Sequence, residues 1–177
     1  MIETPPWSDW FDLAGLRAGG AVRQIVADKD ARAMIAGALA LDRLDSLSAE
    51  VRISPWLDGA EITARWSAAI EQTCGVTLEP FGSALEGAFT VRVVPRGGAY
   101  APALEDKEVV IDPDADDPPD LLDGDRVDVA AYVVEHLALE IDPFPRKPGA
   151  AFTPPPDEQP PSPFAVLRDL KPKSGDG

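Results

Sequence analysis

One cysteine and one histidine, Cys74 and His136, are all the chain has of the two residue types that hold structural zinc, and a lone cysteine closes no intramolecular disulfide. That scarcity points to a reducing compartment. No apolar run approaches the roughly 18 residues of a membrane span. The opening Met1-Ile2-Glu3-Thr4-Pro5-Pro6-Trp7 has neither the basic nor the apolar region of a secretory leader. A soluble, cytoplasmic protein is expected, with no membrane partner. Positive charge is scarce too: 16 Lys and Arg against 31 Asp and Glu leave a net charge of −15. Binding of nucleic acid by the surface as a whole is thereby excluded, because phosphate capture draws on clustered Lys and Arg. Any RNA contact has to be local. Phosphate cradles are missing as well, since Gly19-Gly20 and Gly97-Gly98 lack a following Lys-Ser/Thr or a strand-turn-helix setting.

What is present suffices for a core. With 177 residues, 45% of them hydrophobic, the chain has the size and composition of one domain plus tails. Its charge is uneven: Leu104 to Asp128 carries 11 acids against 2 bases.

Ala21 to Val26 reads as a short strand, followed by a helix capped by Asp28 or Asp30, with Ala31, Met34, Ile35, Ala38 and Leu39 on one face. Period-two alternation then dominates. Leu47, Ala49, Val51 and Ile53 point one way and Ser48, Glu50, Arg52 and Ser54 the other. Ile62, Ala64, Trp66, Ala68 and Ile70 repeat this against Glu61, Thr63, Arg65 and Ser67, and a third strand sets Leu85, Phe89, Val91 and Val93 against Glu86, Thr90 and Arg92. Such alternation predicts a half-buried antiparallel sheet, with Asp58-Gly59 supplying positive φ in the first hairpin. The acidic segment should lack regular structure, apart from a short strand at Val109-Val110-Ile111. A second helix begins near Asp128, burying Ala130, Val133, Val134, Leu137 and Ile141, and ends before Pro143.

Residues 143–163 hold 9 of the 19 prolines, which predicts a stiff connector. Ser162-Pro163 then caps a short helix carrying Phe164, Leu167 and Leu170, a candidate docking segment for a partner. The expected organisation is one α+β domain over residues 1–142, an antiparallel sheet packed with two main helices and an acidic loop at 104–128. A Pro-rich linker at 143–163 and a tail at 164–177 follow.

No residue set for catalysis stands out. His136 lies beside Glu135 on a helix with no nucleophile to serve, and Cys74 has no cationic neighbour in sequence to lower its pKa. Asp112-x-Asp114-x-Asp116 evokes a calcium loop, but Asp117 occupies the sixth position, where glycine is needed, and Asp123 the twelfth, where glutamate belongs. No metal or cofactor is expected. Arg52, Arg65 and Arg92 fall together on the outward face of adjacent strands, with Arg23 a candidate fourth, and could hold phosphate or stack on bases. Cross-strand pairing with Glu50, Glu61 and Glu86 is the structural alternative. Arg146-Lys147 beside the connector is a second, smaller basic site.

A series of short motifs carries a resemblance. Arg52-Ile53-Ser54-Pro55-Trp56, Cys74-Gly75-Val76-Thr77-Leu78-Glu79-Pro80-Phe81, the Asp-Pro-rich stretch Asp112 to Pro119 and Glu135-His136-Leu137-Ala138-Leu139 come in order. Asp142-Pro143-Phe144-Pro145-Arg146-Lys147-Pro148-Gly149 and Ser162-Pro163-Phe164-Ala165-Val166-Leu167 complete the series. Together they resemble the bacterial YceD family, most of all its alphaproteobacterial branch, over about Ala21 to Lys171. The resemblance implies a part in accumulation of large-subunit ribosomal RNA, and so in ribosome biogenesis, without an established catalytic activity. Many relatives have Cys-x-x-Cys where this chain has Cys74 and Thr77, and Thr77 supplies no thiolate. The leading expectation is a non-enzymatic factor that binds large-subunit ribosomal RNA, its precursor or pre-ribosomal particles. The alternative is an acidic chaperone or adaptor for a basic ribosomal protein, and a metal-dependent nuclease is the third and remotest reading.

Overall fold

Three long strands follow one another in the chain and in space. The computed structural model describes residues 5–101 and 118–152. Strands β3 (Arg43–Trp56), β4 (Gly59–Thr73) and β5 (Pro80–Pro95) form an antiparallel meander. The shorter β2 (Ala21–Val26) pairs with β3 at one edge, and β6 (Asp120–Leu122) lies parallel to β5 at the other. A separate ribbon joins β1 (Trp10–Asp12) to β7 (Arg126–Asp128).

The alternation read from the sequence sets the faces. Val51, Ile53, Ile62 and Val93 are fully buried, while Arg52, Thr63, Arg65 and Thr90 between them are exposed. Leu44 and Leu47, three residues apart, are both buried although strict alternation would turn one outward. The register shift between Leu44 and Ser46 accommodates the extra residue.

Helix α1 (Lys29–Ala38) starts where the Asp28 carboxylate accepts the Ala31 N–H at 2.8 Å. Helix α2 (Val129–Glu140) starts at Asp128, which accepts from the Ala130 and Ala131 N–H groups and, across the chain, from the Asp9 N–H at 2.9 Å. Both helices pack on the same side: Ala31 and Ile35 of α1, and Val133, Val134 and Leu137 of α2, join the inward residues of the strands in one core. Among the described residues, no element packs on the opposite side of the meander.

Several expectations need correction. Met34, expected on the buried face of α1, is 56% exposed; this short helix buries Ala31, Ile35 and Ala36, and Met34 projects about 100° away from Ile35 on the other side from Ala36. The acidic segment is not devoid of regular structure, because Leu121 and Leu122 reach the sheet as β6 and Val127 is buried in β7. The pair Leu121-Leu122 was enough for β6, and the single buried Val127 for β7. In the first hairpin the positive φ falls on Leu57 (φ 51°) rather than on Gly59. Gly59 is demanded by close approach instead, as a Cβ there would strike the Val93 carbonyl oxygen. The expected strand at Val109-Val110-Ile111 and the aspartates from Asp112 to Asp117 lie outside the described residues, as do Phe164, Leu167 and Leu170.

Candidate functional site

The open face of the sheet brings Arg52, Arg65 and Arg92 together in a defined order. Pairing aligns Ser54, Glu61 and Arg92 in one row across β3, β4 and β5; the next row is Val22, Arg52, Thr63 and Thr90; the third is Gln24, Glu50, Arg65 and Ala88. Neighbouring strands lie about 4.8 Å apart and same-face residues about 6.8 Å apart along a strand. The three arginines therefore fall one to a row, on β5, β3 and β4 in turn, a staggered triangle and not a line.

Their partners differ. Arg92 Nε donates to Glu61 Oε2 at 3.1 Å, and its guanidinium carbon sits 5.2 Å from the centre of the Trp56 ring, a cation–π stack. Glu50, directly opposite Arg65, accepts from Gln24 Nε2 at 2.7 Å. Glu86 stands opposite Ser67, not opposite an arginine. Arg52 and Arg65 are exposed and make no ion pair among the described residues. The middle row thus presents an uncompensated cation beside the hydroxyls of Thr63 and Thr90. Over the three rows, three arginines face two glutamates, on a chain whose net charge is −15.

Arg23 does not join them. It lies on the helix-covered side, where its guanidinium bonds Asp9 at 2.9 Å and the Trp10 carbonyl at 3.2 Å. With a period of two, Arg23 shares a side with buried Ile25, whereas Val22 and Gln24 share the open face.

The second basic site is largely occupied. Lys147 Nζ bonds Glu79 Oε2 at 2.8 Å, raising the lysine pKa and lowering that of the carboxylate. Arg146 is exposed. The stretch around them runs along the β4–β5 turn: the Gly75 N–H donates to the Pro145 carbonyl at 2.9 Å and Gln72 Nε2 to the Asp142 carbonyl at 3.2 Å.

Cys74 sits beneath this strap, fully buried. The Thr77 hydroxyl, the Lys147 N–H at 3.3 Å and the Thr77 and Val76 N–H groups at 3.4 Å converge on Sγ. These donors bring the thiol pKa down to about 6, while burial of the sulfur works in the opposite direction. Thr77 and Val76 are sequence neighbours, but the Lys147 N–H arrives from 73 residues away. A pKa depressed in the folded state means that, between it and the usual thiol value near 8.5, the unfolded chain binds more protons. Stability should therefore rise with pH through this window, be fully gained above it, and be lost as pH falls through 6. Urea midpoints of the native chain and of Cys74→Ala, followed from pH 5.5 to 9, should diverge upward in favour of the native chain. Parallel curves would show that the thiol titrates alike in the folded and unfolded chains.

His136 is used in packing. Its Nδ1–H donates to the Tyr132 carbonyl at 2.8 Å, and its ring stacks on Phe89 with centroids 3.9 Å apart. Tyr132 donates its hydroxyl to Asp120 Oδ2 at 2.8 Å; burial first, and that bond second, raise its pKa. Among the described residues, no group of three or more His, Cys, Asp and Glu could hold a metal ion, and no helix is long and apolar enough to cross a membrane.

Compared with known proteins, residues 62–171 match the family described as large ribosomal RNA subunit accumulation protein YceD. The matched span includes Arg65 and Arg92 of the open face, the Cys74 turn and α2. No curated protein and no solved structure matches the chain.

Proposed function

The chain belongs to the YceD family, whose description ties it to large-subunit ribosomal RNA and so to ribosome biogenesis, and we propose that it acts there without catalysis, by binding the RNA or its precursor through the open face of its sheet. One observation carries this reading: Arg52 and Arg65 stand exposed and, among the described residues, make no ion pair, on a face that no described element covers, in a chain where cations are outnumbered about two to one. Exposed guanidinium groups beside threonine hydroxyls can contact phosphate and sugar oxygens. The acidic remainder of the surface limits indiscriminate adhesion to RNA.

The test is co-sedimentation with pre-ribosomal particles. The double variant Arg52→Ala, Arg65→Ala spares the Arg92–Glu61–Trp56 contacts and should leave the fold intact. It should lose particle association, and the salt dependence of RNA binding should flatten by roughly one unit of log–log slope per phosphate contact removed. Unchanged association by a folded double variant would show that this face is not the contact.

The rival reading, a chaperone or adaptor for a basic ribosomal protein, rests on the 11 acids between Leu104 and Asp128. Deletion of residues 105–117 separates the two. It has to stop before Pro118, because a longer cut removes β6 from the sheet. Loss of ribosomal-protein capture with RNA binding retained would favour the chaperone.

A further inference from the structure

We propose that the open face takes unpaired RNA, with a base against the Trp56–Arg92 stack and the backbone along the row of Arg52, Thr63 and Thr90. This rests on the reading of the face as an RNA contact and adds which form of RNA it accepts.

Charge decides first. Duplex nucleic acid carries one negative charge per about 1.7 Å of axis, and proteins that hold it neutralise many phosphates at once. The three rows of this face offer three arginines against two glutamates, with Glu86 exposed on the same face one row further on, on a chain of net charge −15. Coulomb attraction at long range is therefore absent, and affinity must come from contacts at van der Waals and hydrogen-bond distance. Stacking on a base is such a contact, and it requires a base whose face is free. Single strands have free base faces; duplexes keep theirs inside the helix.

Shape points the same way. The face is a sheet without a projecting helix, and no described element rises from it to enter a groove. Recognition of unpaired RNA on a sheet uses planar groups for the bases and a few polar groups for the backbone. Both are in place. Glu61 holds Arg92 at 3.1 Å and Trp56 lies against the guanidinium at 5.2 Å, so a planar cation is fixed before any ligand arrives. One row along the sheet, Arg52 aligns with the exposed hydroxyls of Thr63 and Thr90, which can bond phosphate or the 2′-hydroxyl. Arg65, on the central strand β4, adds a cation in the third row. A lysine-rich protein partner fits this face less well, because the uncompensated charge of the middle row has its own sign.

The test uses the full chain, a 12-nucleotide RNA without self-complementarity, the same RNA annealed to its complement, and a lysine-rich peptide as competitor. Binding is followed by fluorescence anisotropy of labelled RNA. The single strand should bind, the duplex at least about tenfold more weakly, and the log–log salt slope should not exceed about 2, the value for three phosphate contacts on a single strand. Trp56→Ala should weaken single-strand binding by about tenfold, the loss of one stacked base, while Trp56→Phe retains it. Thr63→Glu with Thr90→Glu, both surface changes, should abolish binding; circular dichroism confirms that each variant is folded. Equal or tighter duplex binding, or full binding by a folded threonine double variant, would overturn the unpaired-RNA assignment while direct RNA binding stood. Failure of both RNAs to bind would overturn the RNA reading with it, and capture of the peptide alone would assign the face to protein.

Discussion

Gly59→Ala is expected to lower the free energy of unfolding by about 3 kcal/mol, the upper part of the range for forcing extra volume into a packed site. Gly59 opens β4 opposite Trp56, and an added Cβ would meet the Val93 carbonyl oxygen, with the Val93 carbonyl carbon at 2.8 Å and the Val94 Cα at 2.9 Å. Those atoms have no room to retreat. Val93 and Val94 are fully buried, and β5 is gripped between β4 and β6. Relief requires the hairpin end to move, and with it Trp56 and the stack on Arg92. Urea denaturation should show a lower midpoint with an unchanged slope, and the RNA affinity of the folded fraction should fall as well. A midpoint equal to that of the native chain would show that the strands separate at this corner without cost.

Leu137→Ala should cost about 2–5 kcal/mol, the usual range for a core leucine. Leu137 has no exposed surface and lies among the residues joining α2 to the sheet. Leu139, two positions on, is 76% exposed. Its change to alanine should stay within about 0.5 kcal/mol. The pair isolates burial from helix propensity, because residue type and helix are the same. Equal midpoints for the two variants would mean that α2 does not pack as described.

From Leu47 through β4 and β5, the side on which a residue falls was legible from period-two spacing alone, and so was the set of exposed arginines from β3 to β5. The starts of both helices were legible to within two residues: of Asp28 and Asp30 it is Asp28 that caps α1, and Asp128 caps α2. Three features were not legible, each because it depends on residues distant in sequence. Arg23 belongs to the helix-covered side because β2 pairs with β3 in one register and not its neighbour. The fourth hydrogen bond to Cys74, from the Lys147 N–H, spans 73 residues. The stack of Arg92 on Trp56 needs strand pairing to bring together residues 36 positions apart in the chain. Gly87 illustrates the same limit: within β5 it reads as a weak point, yet it stands opposite Trp66, where a Cβ would come within 2.7 Å of the indole. The missing side chain is what lets Trp66 lie flat over the sheet.

The strict succession of β3, β4 and β5 also bears on how the molecule is made. Each strand pairs with the one just synthesised, so hairpins can close early, while β6 and α2 must wait for a further stretch of chain. During that delay the inward sides of β4 and β5, Ile62 and Phe89 among them, have no α2 above them, and a nascent meander with a bare greasy side is prone to self-association. Aggregation during production should therefore track whatever delays α2 from docking.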